Sequence, residues 1–284
     1  SLNNCKGVGD LIFYGQHGEA PKIEIKGSNL RQLYFYGFSS RYFALENNEV
    51  TNCIFQNTTN PILICKNNHI HGEFKALGRW LGVFYISNCD ISNLNLKDAH
   101  FSGEASQSKE ISSFFEEHNR VYKVNQALIK ESNFKDASFF RATFVVPFEI
   151  SDSRFYGEAN FNNCTFDNTT IFDNVVFEKA PKFHATKLHH DTDLATAKFR
   201  DFRSKTAHRE YSTLKHLMLG LNSEIEAHRF HAYEMKSRKG SGVLKPWKSI
   251  EWLASSVFEF ISDYQQDLLQ PLLLLMLLGI VSFG

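Results

Sequence analysis

Two short polar clusters contain residue types that bind metal ions or transfer protons. His228, His231 and Glu234 recur at i, i+3 and i+6, so a helix would present them as part of a metal site. The segment HHDTD at residues 189–193 contains an Asp-x-Asp pattern that could bind a divalent cation. Neither spacing fixes a further ligand, and short polar side chains are common in turns. We therefore expect structural or solvated roles for both clusters, with no bound metal and no cofactor.

The sequence also lacks the motifs that common enzyme classes use. Gly7 and Gly9 have no surrounding nucleotide-binding fingerprint, and there is no P-loop, G-x-S-x-G or H-E-x-x-H pattern. The 5 cysteines are scattered without a C-x-x-C pair, which argues against a zinc ribbon or a redox motif. We expect buried, reduced thiols, no catalytic residues and no enzymatic activity.

Composition sets further limits on function. The chain has 284 residues, and its 43% hydrophobic content is enough for a continuous core. Lys plus Arg equal Asp plus Glu at 31 each, so no net field attracts nucleic acid or an acidic partner. We expect no nucleic-acid partner, and the neutral charge also disfavours a protein that imitates DNA.

A repeat organises most of the 27 phenylalanines. A ladder of large apolar residues advances by alternating steps of six and five, and comprises Phe155, Phe161, Phe166, Phe172, Phe177, Phe183, Leu188, Leu194 and Phe199. Within residues 86–101, and again within residues 129–144, the step is five. Small side chains recur two residues before many of these positions, as at Ala159 and Cys164. A period of five fits neither a helix nor a simple strand, and indicates a four-sided coil with one inward residue on each side.

The repeat unit is similar to that of a known family. The segment SNFKDASFFRATF at 132–144 resembles the A-(D/N)-(L/F)-x-x unit of the pentapeptide-repeat family, and YGEANFNNCTF at 156–166 resembles its 11-residue variant. The resemblance covers roughly residues 20–200 and is weak from 56 to 85. It implies a mainly β fold, a right-handed quadrilateral β-helix over residues 1–202, with about seven stacked coils at the usual strand spacing.

Residues 103–128 interrupt the repeat. Ile111, Phe114, Phe115 and Val121 recur at helical spacing, which predicts a helical insertion over 103–128. Two roles remain open for it: a surface for a partner, or a helix packed along its own rod.

Residues 203–240 predict a helical hairpin. Ala207, Tyr211, Leu214 and Met218 are spaced for the first helix, which we expect to stop at 220–222. Ser223 and Glu226 form a capping-box pattern that would start the second helix. Residues 211–215 and 226–234 resemble the helical linker that follows the repeats in membrane-attached pentapeptide-repeat proteins.

The remaining residues predict membrane attachment. Trp247, Lys248 and Trp252 lie in an amphipathic stretch at 241–265 that is typical of an interfacial helix, although a helix docked on protein would look similar. Residues 266–284 predict the start of a transmembrane helix, with an apolar run of Leu272, Leu273, Leu274, Leu275, Met276, Leu277 and Leu278. Flanking cations place the repeat domain on the cytoplasmic side of an inner (cytoplasmic) membrane.

These features predict a sensor or docking scaffold that couples partner binding to a membrane segment. The resemblance implies that such a segment could form an ion-channel pore or serve an antiphage effector. We expect membrane lipid and an unidentified protein as partners, and a homo-oligomer by analogy with pores. The alternative is a DNA-mimicking or other protein-binding pentapeptide-repeat module without channel activity.

Overall fold

The computed structural model describes residues 2–5, 9–14, 23–37, 42–102 and 126–241. The chain divides into two compact units, Ser1–Phe199 and Arg200–Gly284. In the described part of the chain, the first unit is a sheet of 20 strands and the second contains two helices, α1 (Ala207–Gly220) and α2 (Glu224–Gly240).

Most strands of the first unit follow one another within a few residues. They are β1 (Leu2–Asn3), β2 (Asp10–Tyr14), β3 (Ile23–Lys26), β4 (Asn29–Tyr36), β5 (Phe43–Glu46), β6 (Glu49–Lys66), β7 (His69–Ser87), β8 (Asp90–Asn95), β9 (His100–Phe101), β10 (Gln126–Lys130), β11 (Asn133–Ser138), β12 (Thr143–Phe144), β13 (Phe148–Ser151), β14 (Arg154–Phe155), β15 (Ala159–Asn160), β16 (Thr165–Phe166), β17 (Thr170–Asp173), β18 (Val176–Phe177), β19 (Thr192–Asp193) and β20 (Lys198–Phe199).

Strands of successive coils stack on one another and pair in parallel. We call each stack of paired strands along one side of the coil a column, and there are four columns in the described residues. The first column is represented by the pair Ile25–Leu45, the second by Leu30–Val50, the third by Leu33–Cys53 and the fourth by Thr58–Gly78. The step between paired residues is 20 at Ile25–Leu45 and 22 at Ile150–Phe172. The first unit is therefore a parallel β-solenoid of about seven turns, which confirms the predicted β-helix and its number of coils.

The interior is built from side chains stacked directly above one another. In the second column the ring centroids of Phe134, Phe155, Phe177 and Phe199 follow at 5.0, 5.1 and 5.4 Å. This spacing is close to the distance between paired strands, so each ring contacts the next without a gap. The structure buries all nine side chains of the predicted ladder, Phe155, Phe161, Phe166, Phe172, Phe177, Phe183, Leu188, Leu194 and Phe199.

The longest strands lie where the repeat pattern is weakest. β6 and β7 extend over 18 and 19 residues, and their pairing contains register shifts, as between Phe55 and Thr58. Gly78 has φ of 137° and lies so close to the Thr58 carbonyl that any added Cβ would collide with it. Bulges thus displace the five-residue register here, while Phe74 and Trp80 still fill the interior.

A polar ladder runs inside the coil beside the apolar ones. The backbone N–H of Ser28 donates to Oδ1 of Asn48 at 3.0 Å, and the N–H of Asn48 donates to Oδ1 of Asn68 at 3.0 Å. Further along, the N–H of Cys89 donates to Oγ of Ser132 at 3.2 Å. Each of these interior side chains accepts from the backbone of the coil before it, which satisfies buried donors at a turn.

The predicted insertion is shorter than the sequence suggested. Gln126–Lys130 is strand β10, and Ala127 pairs with Phe84 on one side and Phe148 on the other. Residues 126–128 are therefore part of the coil, because Ala127 is needed at an interior position of the first column. The rest of the predicted helix, 103–125, lies outside the described residues.

The second unit contains the predicted helical hairpin. Ala207, Tyr211, Leu214 and Met218 are all buried on α1, as their spacing predicts. The second helix begins after Ser223, as predicted, but the predicted capping box is wrong, because Ser223 makes no side-chain cap hydrogen bond. Glu226 instead forms an ion pair with Arg229 at 2.6 Å.

The turn between the helices differs in detail from the expectation. Gly220 is still helical, and the left-handed residue is Asn222 with φ of 57°. Asparagine tolerates this conformation better than most residues, so it can serve in place of glycine. Neither helix of the described residues combines the length and the apolar character that crossing a bilayer requires.

Candidate functional site

One predicted polar cluster comes together in the structure. Single ligand atoms of His189, His190 and Asp191 all lie within 4.8 Å of one another. Nε2 of His190 is 3.4 Å from Oδ2 of Asp191, and Nδ1 of His189 is 3.7 Å from the same oxygen. Two imidazoles and a carboxylate are a donor set that suits zinc.

The local hydrogen bonds explain this geometry without a metal. The backbone N–H of Asp191 donates to Nδ1 of His189 at 3.2 Å, and the Thr192 hydroxyl donates to the His189 carbonyl at 2.6 Å. An ion bound at Nδ1 would have to displace the first of these bonds. Asp193, the other carboxylate of the predicted Asp-x-Asp, instead accepts from the N–H of Ala195 at 2.8 Å. The cluster therefore has the properties of an exposed polar turn.

The second predicted cluster is dominated by ion pairs. Nζ of Lys215 and an Nη of Arg238 each lie 2.7 Å from the carboxylate of Glu234, whereas Nδ1 of His231 is 3.9 Å away. Burial alone would raise the pKa of Glu234, but the hydrogen bonds and positive charges of Lys215 and Arg238 outweigh it and lower that pKa. Because two cations already occupy the carboxylate, it joins α1 to α2 rather than serving as a metal ligand.

An exposed aromatic surface lies on the outer side of the third column. Ile12 pairs with Tyr34 and Tyr14 pairs with Tyr36, and these four residues form what we call the tyrosine patch. Ile12, Tyr14 and Tyr36 are 48%, 73% and 42% exposed. The ring centroids of Tyr14 and Tyr36 are 6.5 Å apart, as are those of Tyr34 and Tyr36.

The tyrosine patch is preorganised by its neighbours. The hydroxyl of Tyr34 donates to Oε1 of Gln56 at 2.7 Å, and strand pairing fixes the backbone beneath it. At the next level of the same outer column Ile54 pairs with Tyr34, and beyond it the residues are polar, as at Lys75 and Asn95. The aromatic surface is thus local, and a fixed cluster of tyrosines is the kind of surface that anchors protein partners.

A second outer surface is apolar and buried. Ile62, Ile64, Val83 and Tyr85 form a buried cluster, against which Tyr42, Leu81 and Leu128 pack; we call these seven residues the outer apolar cluster. Its members lie along the first column, where Ile62 pairs with Val83 and Ile64 with Tyr85. Sequence reasoning missed both outer surfaces, because only inward positions follow the repeat. The sequence signal for such a surface is the recurrence of large apolar or aromatic residues at every second position of one strand, as at Ile12 and Tyr14.

The other predicted site residues lie outside the described part of the chain. These are the membrane-surface residues Trp247, Lys248 and Trp252 and the bilayer residues Leu272, Leu273, Leu274, Leu275, Met276, Leu277 and Leu278. Their roles stay predictions. The nine ladder residues, in contrast, are interior and contribute to the coil rather than to a binding surface.

No model of a protein family matches the chain, and no curated protein is significantly similar to it.

Proposed function

We propose that this protein is a non-enzymatic docking scaffold or sensor, in which a rigid β-solenoid binds a protein partner and is joined to a C-terminal membrane segment. The solenoid is a right-handed quadrilateral β-helix of the pentapeptide-repeat type and faces the cytoplasm. The membrane segment, a possible pore or antiphage effector, responds to partner binding.

The family assignment is supported by the arrangement of the coil. Four strand columns per turn and a step of 20 to 22 residues are what a five-residue unit on four sides would produce. The interior also alternates large and small side chains, as with Phe161 and Ala159. Both properties follow from the repeat unit that the family uses.

The tyrosine patch is the observation that carries the docking role. The other large hydrophobic side chains that the described coil exposes to this degree are Val145 and Tyr156, whereas this patch exposes two tyrosines and an isoleucine side by side. Tyrosine is enriched at binding hot spots because it buries a large area at a small loss of conformational entropy. A protein partner with an apolar, hydrogen-bonding surface would fit it.

Membrane attachment is supported by charge as well as by the apolar tail. Residues 200–241 carry nine Lys or Arg against five Asp or Glu, a net charge of +4, although the whole chain is neutral. Basic residues next to a membrane segment favour the anionic cytoplasmic surface of a bilayer. The positive charge therefore lies where the proposal needs it.

The membrane role is tested by comparing the 284-residue chain with a variant that stops after Gln266. In bacteria, the longer chain should appear in the membrane fraction, and a voltage-sensitive dye should report depolarisation if the segment conducts. Recovery of the longer chain in the membrane fraction without depolarisation would support a membrane-tethered scaffold that does not form a pore. Recovery of both chains in the soluble fraction would overturn membrane attachment.

The docking role is tested with Tyr14→Ser combined with Tyr36→Ser. Proteins that copurify with the chain from its own cells are compared with those that copurify with this variant, and with a Lys75→Ser, Asn95→Ser control. A candidate lost only with the tyrosine variant is then purified, and its Kd should rise at least about tenfold, since hot-spot side chains contribute this much or more. Equal affinity for the wild type and the tyrosine variant would rule out docking at the patch.

A further inference from the structure

The outer apolar cluster contains side chains that point away from the coil and are nevertheless buried. Leu63 and Cys65 face the interior of the first column, so Ile64 between them faces outward. Ile64 is 1% exposed, and the outward Ala44 and Tyr85 on its two sides are 0% and 8% exposed. Exposure this low is unlike that of an outward position on an open sheet face.

Other outward positions show what an uncovered face looks like. Ile12, outward on the third column, is 48% exposed. Further along the first column the outward positions are Glu149, Ile171 and Asp193, of which Asp193 is exposed and the other two are partly exposed. Neighbouring strands shield only the flanks of a side chain that stands upright on a sheet. Burial of Ile64 and Tyr85 therefore requires a segment lying over the face.

Among the described residues, Nζ of Lys66 lies 5.6 Å from the ring centroid of Tyr85, but one lysine side chain does not form a layer over the whole cluster. Tyr42, Leu81 and Leu128, which pack against it, come from strands or strand ends of the same sheet. They extend the apolar surface sideways across four successive coils. The covering segment must therefore come from residues outside those that the structure describes.

Residues 103–125 are attached at the edge of this surface. The N–H of Ser102, the last described residue before them, donates to the Trp80 carbonyl at 2.9 Å. Gln126, the first described residue after them, pairs with Val83 of the cluster. The chain thus leaves and re-enters the coil on either side of Leu81, within reach of the whole cluster.

The sequence of this segment has the character that such a surface needs. Ile111, Phe114, Phe115, Val121 and Tyr122 recur at helical spacing among charged and polar residues. An amphipathic helix buries its apolar stripe against another apolar surface. The segments 15–22 and 38–41 are much shorter and carry fewer apolar residues.

We propose that the outer apolar cluster is the docking site of residues 103–125 of the same chain, which pack on it through the stripe of Ile111, Phe114, Phe115, Val121 and Tyr122. This proposal does not depend on the function proposed above. The competing occupants are residues 242–284, a second copy of the chain, and a separate protein.

A photo-crosslinking experiment on the full 284-residue chain distinguishes these occupants. Tyr85→p-benzoylphenylalanine places the photoreactive group on the cluster, and Ile171→p-benzoylphenylalanine places it at an outward position of the same column as a control. After irradiation, peptide mapping should find crosslinks from position 85 to residues 103–125 within one chain, and at least about tenfold fewer from position 171. Crosslinks from position 85 to 242–284, to a second copy or to another protein, or none at all, would overturn the proposal.

A charge substitution provides an independent test. Phe114→Asp combined with Phe115→Asp would place unpaired carboxylates against an apolar face, which is unfavourable. It should reduce the crosslink yield at position 85 at least about tenfold, the change that 1.4 kcal/mol produces. The circular dichroism of the coil should stay unchanged, and Ser112→Asp with Ser113→Asp serves as the matched control. An unaltered crosslink yield in the phenylalanine variant would exclude packing through the stripe.

Discussion

Asn48 and Asn68 lie directly above one another inside the coil, with the backbone N–H of Asn48 donating to Oδ1 of Asn68 at 3.0 Å. Nδ2 of Asn68 in turn donates to the carbonyl of Leu45 at 2.8 Å. One buried side chain thus satisfies a donor and an acceptor from other parts of the coil.

Asn68→Ala should destabilise the solenoid, because it leaves the N–H of Asn48 and the carbonyl of Leu45 without these bonds. We expect a loss of about 2–4 kcal/mol from two unsatisfied buried groups. The measurement is the urea midpoint by circular dichroism. Asn133→Ala, on an exposed position of β11, is the control and should change stability by less than about 0.5 kcal/mol. Similar midpoints for both variants would contradict the role of the ladder.

Phe166→Asp should unfold the middle of the coil. Phe166 is buried, and its ring centroid lies 4.9 Å from that of Phe144 on the preceding coil. The substitution would bury a carboxylate without a partner, which costs several kcal/mol. Circular dichroism and limited proteolysis should show loss of structure, whereas Tyr156→Asp, at an outward and exposed position, should remain folded. Wild-type stability of Phe166→Asp would refute the inward assignment.

The helical hairpin should lose stability in acid through Glu234. Its folded pKa lies below the ordinary value of 4.5, so as pH falls below 4.5 the unfolded chain takes up the proton first. The stabilisation is complete above pH 4.5 and is lost as pH falls through the lowered folded pKa. Amide hydrogen exchange of α1 and α2 peptides, corrected for intrinsic rates, should show this acid loss.

The variant Glu234→Gln isolates the contribution of this carboxylate. It should weaken protection of α1 and α2 at neutral pH, because Lys215 and Arg238 lose their shared partner. It should also remove the extra loss below pH 4.5, while His231 titrates in both proteins. Glu224→Gln, in the exposed first turn of α2, is the control. If the variant and the wild type lost protection in parallel, Glu234 would not be the responsible group.

The native protein should expose one reactive thiol. Cys5 is partly exposed, whereas the four other cysteines are buried, namely Cys53, Cys65, Cys89 and Cys164. Burial raises the pKa of Cys164 to about 12, so little thiolate exists to react. Titration with Ellman's reagent should modify one thiol per chain before unfolding and 5 after it, and none in native Cys5→Ser. Rapid reaction of further thiols would show that the coil opens.

The predicted membrane surface gives a separate test. Trp252→Ala should reduce cosedimentation of a chain ending at Gln265 with anionic lipid vesicles, because interfacial tryptophan contributes to binding. Trp80→Phe is the control, since Trp80 is buried in the coil. Unchanged sedimentation of Trp252→Ala would exclude the interfacial role.

The interior of the coil could be predicted because its residues recur at a regular step along the chain. Phe155 and Phe161 follow a fixed step, so position along the chain alone indicates which way they point. Asn48 and Asn68 could not be placed this way, since an amide does not resemble the small residues expected there. Their role depends on hydrogen bonds to another coil, and a single sequence does not show which residues meet across coils.

The outer surfaces and the second helix were less predictable for a related reason. Outward positions such as Tyr14 and Tyr85 follow no repeat, because nothing on the outside has to match from coil to coil. On α2, apolar spacing does not show that Glu234 is buried, since its burial depends on Lys215 and Arg238. Contacts of this kind depend on tertiary geometry rather than on local pattern.

The solenoid takes up its longest additions of sequence at one edge, whereas one-residue register shifts occur on other sides, as between Phe55 and Thr58. Residues 15–22, 38–41 and 103–125 all lie between the third or fourth column and the start of the first, and Ile86 still pairs directly with Ile129 across 43 residues of chain. The pairing of strands on the other three edges therefore does not depend on how much sequence is added at this edge. For protein engineering, the connection between Ser102 and Gln126 is a grafting position, where a fluorescent or enzymatic domain could be carried without shifting any paired strand.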